Sequence, residues 1–170
     1  DKGEEIVPIR YQECTPFRQG FALVKEKDKW GACNMKGKMV LPTDYDKVTL
    51  GNSPVFLTEK KITQDSSVYG FYHAERKNLS TTPYKGADDM YFGMAAILKD
   101  SLWGYLNDQG KEVTEFKFHS AGPFLLDSGK FAMVTLNKKF GIVDQDGQYI
   151  IYPTYKAIVG FEEGLFVVQD

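Results

Sequence analysis

The chain has 170 residues, of which 42% are hydrophobic, 14% aromatic and 26% charged, with 16 glycines and a formal net charge of −2. That length suffices for one sizeable core. The slightly acidic balance, pI ≈ 5.8, lacks the basic surplus a nucleic-acid binder needs, and no apolar run approaches the ~18 residues of a membrane span.

The chain opens on an apolar pair, Ile6-Val7, that runs into Pro8 and then Tyr11. Gly20-Phe21-Ala22-Leu23-Val24 has the short, bounded apolar pattern of a strand. A polar turn in which Lys25, Lys27 and Lys29 interleave with Glu26 and Asp28 leads to Trp30-Gly31. Asn34-Met35-Lys36-Gly37-Lys38 reads as a hairpin loop: Asn opens a turn by bonding its own backbone, and Gly takes the left-handed position. Val40-Leu41 resumes the strand. Pro42 cannot sit in a central ladder and is expected to mark where this strand leaves the sheet, three residues before Tyr45.

The same order then recurs. A second copy runs through Val55-Phe56-Leu57, a loop lengthened over Lys60 to Ser67, Tyr69-Gly70, and Thr81 to Tyr84 in the slot of Pro42 to Tyr45. The third has Gly93-Met94-Ala95-Ala96-Ile97, Trp103-Gly104, Asn107 with Gly110, and Glu115 to Phe118. The fourth has Gly129 to Val134, Phe140-Gly141, Asp144 with Gly147, and Tyr152 to Tyr155; Gly164-Leu165-Phe166-Val167-Val168 begins a fifth. The aromatic-Gly pairs lie 39, 34 and 37 residues apart, a period in the range of repeat architectures.

These features predict an all-β fold: a tandem array of three-stranded antiparallel units of about 36 residues each. About four and a half copies fill one domain, 1–170, starting near residues 17, 53, 90, 124 and 161. No long segment keeps apolar 3.6-residue spacing, so helix is not expected. The end strands, Ile6-Val7 and Phe166-Val167-Val168, either complete one sheet and close a propeller-like ring or leave an open twisted array.

Phe17-x-x-Gly20-x-Ala22-x-Val24, Lys29-Trp30-Gly31 and Gly37-Lys38-x-Val40-x-Pro42-x-x-Tyr45-Asp46 together resemble one nearly complete repeat of the WG-repeat family. Trp103-Gly104-Tyr105 and Phe140-Gly141-Ile142-Val143-Asp144 are similar in the later copies. The resemblance implies a bacterial β-repeat protein with no catalytic residues to carry over. Because such repeats often follow export signals, a cell-envelope or secreted location is expected ahead of a cytoplasmic one.

Trp30, Trp103 and Phe140, with Tyr69, recur once per copy and are read as core residues packing one unit on the next. Cys33 shares its slot with Tyr72, Leu106 and Val143 and is read as a small buried hydrophobe, its pairing with Cys14 left open. Asp144-x-Asp146-Gly147 matches the middle of a calcium loop, but the same slots hold Asn34 and Lys36, or Asn107 and Gln109, with no closing Glu, so a turn is expected. His73 and His119 have no partner at metal-ligand spacing, Gly-rich phosphate cradles are absent, and no Ser or Cys has the context of a nucleophile. No catalytic residue, metal or cofactor is therefore expected, nor an enzyme.

Function is expected where the pattern breaks. Copy two puts His73 in the Asn/Asp slot and Arg76 in the turn-Gly slot, which makes Tyr69, Tyr72, His73, Glu75 and Arg76 a candidate contact surface; drift in a tolerant repeat is the alternative. The expected role is a non-catalytic scaffold for a protein partner. A carbohydrate or envelope-polymer module is the alternative, with Tyr84, Tyr91 and Tyr152 available to stack on sugars.

Overall fold

A computed structural model describes residues 11–79 and 83–170; the Ile6-Val7 strand, Pro8 and Thr81 lie outside the described residues. The first sheet is formed by β1 (Glu13–Cys14), β2 (Phe21–Glu26), β3 (Lys29–Asn34) and β4 (Met39–Tyr45), and the second by β5 (Lys47–Leu50), β6 (Val55–Thr63), β7 (Ser66–His73) and β8 (Lys77–Asn78). The third holds β9 (Gly86–Ala87), β10 (Met94–Lys99) and β11 (Leu102–Asn107). The fourth holds β12 (Ser120–Ala121), β13 (Phe131–Leu136), β14 (Lys139–Asp144) and β15 (Tyr149–Tyr155), and the fifth β16 (Ala157–Glu162) and β17 (Leu165–Gln169). Strands adjacent in sequence pair antiparallel within each sheet, and the described residues contain no helix. None therefore crosses a membrane as a helix.

Three of the five sheets have four strands rather than three, because each sheet takes its first strand from the end of the preceding copy. After the aromatic of the Pro slot, the next backbone N–H bonds forward to the following copy: Gln12 to Lys25, Asp46 to Glu59, Lys85 to Leu98, His119 to Thr135 and Lys156 to Gln169, all at 2.8 to 2.9 Å. Each sheet thus begins right after that aromatic, earlier in sequence than the glycine that opens the next strand. Two-residue turns with both residues left-handed close the hairpins, as at Lys27-Asp28, Asp100-Ser101 and Asn137-Lys138. That turn twists with the strands it joins, which offsets the cost of positive φ at non-glycine residues.

Pro42 does not take its strand out of the sheet. β4 pairs with β3 at Leu41↔Ala32 and again at Tyr45↔Trp30, so Pro42, Thr43 and Asp44 form a bulge. β15 does the same between Ile151↔Ile142 and Tyr155↔Phe140, around Pro153. A bulge leaves N–H groups out of the ladder, which is where proline costs least. It also carries backbone across the glycine of the opposite strand: a Cβ on Gly31 would sit 2.6 Å from the Leu41 carbonyl oxygen, and one on Gly141 2.7 Å from that of Ile151. The glycine is needed for this close approach. Past the bulge, the slot aromatic returns to face the aromatic before the glycine in all four copies, as Trp30↔Tyr45, Tyr69↔Tyr84, Trp103↔Phe118 and Phe140↔Tyr155.

Because side chains alternate across a strand, each sheet offers one face backward and one forward. Ala95 and Ile97 of β10 pack back on Val55 and Phe71, while Met94 and Ala96 pack forward on Ala132 and Val134. Ala32 and Leu41 meet Val48 and Phe56 between the first two sheets. A position fully buried in every copy lies two residues past the aromatic of each pair, at Ala32, Phe71, Tyr105 and Ile142, and the next residue is as buried at Cys33, Leu106 and Val143. Trp30 and Trp103 are half-buried and pack on these clusters from the flank, and Phe140 is half-buried beside Tyr155. Every substantial contact between sheets joins consecutive sheets, and no barrel closes among the described residues.

Candidate functional site

The loop between the third and fourth strands of a unit decides how closely that unit seats on the one before. In three copies the opener bonds two backbone N–H groups of its own loop. Asn34 Oδ1 accepts from Lys36 and Lys38 at 3.0 and 3.1 Å, Asn107 Oδ1 from Gln109 and Lys111 at 3.1 and 2.9 Å, and Asp144 Oδ1 from Asp146 and Gln148 at 3.0 and 2.8 Å. Asp144 thus spends its carboxylate on the turn. The left-handed residue is Gly37, Gly110 or Gly147.

Copy two reaches a similar loop with different chemistry. His73 is buried, and its Nδ1 accepts the backbone N–H groups of Glu75 and Arg76 at 3.1 and 3.2 Å, so the imidazole does the work of the missing amide. The ring must be neutral to do so. Burial, and then the Arg76 charge, push its pKa below the ordinary histidine value. Left-handed backbone moves one residue on, to Lys77 at φ 68°, so Arg76 fills the turn-Gly slot in sequence without adopting its conformation. His119 is used similarly: its Nδ1 accepts the Asn137 N–H at 3.1 Å, where Asp46 Oδ2 accepts the Lys61 N–H at 3.0 Å between the first two units.

The shifted turn changes the seat. A Cβ on Gly147 would come within 2.7 Å of Thr114 and 3.4 Å of the Val113 carbonyl in the preceding unit, and one on Gly110 would overlap the Leu79 carbonyl. In the fourth unit Gln145 also bridges the joint, its Nε2 donating to the carbonyls of Phe92 and Gly129 at 3.2 and 2.8 Å. In copy two the corresponding residues are Arg76 and Ala74: one carries a side chain where glycine nests, the other lacks a side chain that reaches across. Gly20, in the bend this unit faces, has nothing within 4 Å of where its Cβ would be.

The result is a cleft of about 640 Å³ between the hairpin loops of the first two units. Its floor is apolar, made by Phe21, Met39, Val40, Tyr72 and Ala74. Lys36 and Lys38 stand on one lip with Asn34, and Lys77 and Glu75 on the other. Met35, 62% exposed, overhangs it. A hollow of about 690 Å³ also lies at His119, Thr135, Asn137, Lys138 and Phe140, but it belongs to the edge of one hairpin and brings no second unit to its wall.

Of the five residues singled out in copy two, Tyr72 and Glu75 line the cleft. His73 and Arg76 lie behind it, with Arg76 Nη2 3.2 Å from His73 Nε2. Tyr69 is in the middle of β7, facing Tyr84 and lining a separate hollow of about 170 Å³. The sequence reading missed Phe21, Met35, Met39, Val40 and the three lysines. An apolar Met35 in an otherwise polar turn was the available signal. Among the sugar-stacking candidates, Tyr84 is buried, its hydroxyl donating to Glu112 at 3.2 Å and its pKa pushed up to about 12 by burial and then by the Glu112 carboxylate. Tyr91 is half-buried, and Tyr152 is 66% exposed, 4.5 Å from the Tyr149 ring.

Cys14 is exposed and Cys33 buried, both as free thiols. No group of three or more metal-ligating side chains converges among the described residues.

No curated protein matches the chain. The chain is similar to a solved structural-genomics protein of unknown function from Bacteroides thetaiotaomicron VPI-5482, with 9% identity and a TM-score of 0.37 over 84% of this chain and 44% of that one. The chain spans less than half the length of that protein. Residues 1–30, 30–50, 103–140 and 140–170 match the family described as WG containing repeat, leaving 51–102, with the hairpin of copy two, outside the match. With the repeated aromatic-Gly geometry and matches over more than half its length, the chain belongs to the WG-repeat family.

Proposed function

We propose that this domain is a non-catalytic binding module that receives a segment of a partner protein in the cleft between its first two units. The observation that carries the proposal is the cleft's origin. The first two units keep antiparallel ladders, while the glycine that seats the third and fourth units and the glutamine that bridges the fourth are replaced by Arg76 and Ala74. Exposed charge around an apolar, partly aromatic floor is the composition of a protein contact surface.

Filling the cleft tests this. Random peptides of about twelve residues, displayed on phage, are selected against the protein and against Ala74→Trp, with Ala74→Gln as a milder filling should the first lower stability. Peptides that bind the parent and lose at least about tenfold with both variants would support the proposal; peptides that bind all three alike would remove the cleft from function. The carbohydrate reading rests on Tyr152 beside Tyr149. A saturable glycan that Ala74→Trp binds normally and Tyr152→Ala does not would favour it.

A further inference from the structure

We infer that the cleft selects an acidic segment, one in which an apolar side chain is flanked by carboxylates; this rests on the binding role proposed above. The formal charge of the whole chain is −2, yet three of the four charged side chains around this cleft are lysines. Lys36, Lys38 and Lys77 are exposed, and none is in an ion pair among the described residues. Elsewhere lysines do find partners: Lys25 meets Glu13 and Lys29 meets Asp46, both at 2.7 Å. Around this apolar floor the charged lips are therefore net positive, with three lysines to one carboxylate.

The lysines stand on opposite lips, two on the first unit's loop and one on the second unit's hairpin. A segment lying along the cleft would meet ammonium groups on both sides while an apolar side chain entered over Phe21, Val40 and Tyr72. Glu75, the single carboxylate, sits beside Lys77 and would repel a basic segment, which adds discrimination to attraction. Charges at a lip act mainly through encounter and specificity and are screened by salt, whereas the floor contacts are not.

The experiment uses peptides enriched on the parent protein and lost with Ala74→Trp, labelled with fluorescein and titrated by anisotropy. They are expected to be net negative with at least one aliphatic or aromatic residue. Their affinity is expected to fall about tenfold between about 50 and about 500 mM sodium chloride, and about tenfold or more with Lys36→Glu, Lys38→Glu and Lys77→Glu combined. These exposed substitutions are checked for folding by a thermal melt, and the salt titration stands independently of them. Cleft-dependent peptides that are neutral or basic, or whose affinity ignores both salt and charge reversal, would overturn the acidic selectivity while leaving the binding role intact. If no cleft-dependent peptide emerges, both fail. If polygalacturonate fills the cleft where acidic peptides do not, the occupant is an acidic glycan and the inference is wrong.

Discussion

The joint between the third and fourth sheets and the joint between the first and second are assembled from the same parts and end differently. In the later joint Gly147 rests on Val113 and Thr114, and Gln145 ties its loop to the preceding bend at Phe92. In the earlier one Arg76 and Ala74 take those places, and a cleft of about 640 Å³ is left above Val40. The aromatic pairs face each other in both, as Trp30↔Tyr45 and Trp103↔Phe118, although isolated bridges at Phe118 and Glu112 stand in the third unit where the first has β4. Strands and buried cores hold units together, while two loop positions decide whether their edges meet. Such an array can open a binding surface without weakening its core.

The strongest challenge to this picture is aimed at the closed joint. Tyr105 is fully buried between the third and fourth sheets, and its hydroxyl donates to the Gly122 carbonyl at 2.8 Å. Tyr105→Ala is expected to cost about 4 kcal/mol in denaturant melts, and Trp103→Ala, half-buried on the same cluster, about 3 kcal/mol. Losses under about 1 kcal/mol would mean that the cores do not hold the joints.

A matched pair at the turn slot comes next. Gly110 has φ +81° against the Leu79 carbonyl, so Gly110→Ala should cost about 2 kcal/mol through backbone strain and overlap. Arg76 occupies the same sequence slot with ordinary backbone, so Arg76→Ala should change stability by no more than about 0.5 kcal/mol. Equal costs would show that the two slots are alike and that the cleft has another cause.

The smallest effect is in pH. His73 is held neutral in the fold, so its contribution to stability is fully present above the ordinary histidine pKa of about 6.5. It is lost as pH falls from there through the lowered folded value. His73→Asn should keep the loop and flatten that part of the stability curve. Parallel curves for the two proteins from about pH 8 to about pH 5 would show that His73 carries no such linkage.

Much of the fold is legible in the sequence because it is local. Gly37, Gly110 and Gly147 announce their turns, and the aromatic-Gly pairs set the period. Pairing register is not local. Pro42 and Tyr45 are visible as a slot, but that the strand bulges at one and returns at the other depends on the backbone opposite, and Gly31 is where that backbone passes. The edge strands were missed because they belong to one copy by sequence and the next by hydrogen bonds, as Asp46 with Glu59 shows. The candidate cleft is half legible: the broken pattern points to the hairpin that forms one of its walls, but His73 reads as an exposed charge carrier until its Nδ1 is seen to hold the loop. The opposite wall, Lys36, Lys38 and Val40, lies on a copy whose own pattern is intact, so nothing in its sequence sets it apart.

Contacts that join only consecutive sheets have a consequence for how the molecule comes apart. Each unit draws stability from its two neighbours, so the array behaves as a one-dimensional chain of coupled units rather than as a single all-or-none body. Among the described residues the fifth sheet has two strands, and β17 pairs with β16 alone. Its amides are expected to exchange with deuterated water first, and those of β10, paired on both sides and buried on both faces, among the last. A lesion at Tyr105 should then speed exchange in the third and fourth sheets while β2 and β3 keep their protection, so that the cleft at the other end outlives damage that would unfold an ordinary globular core.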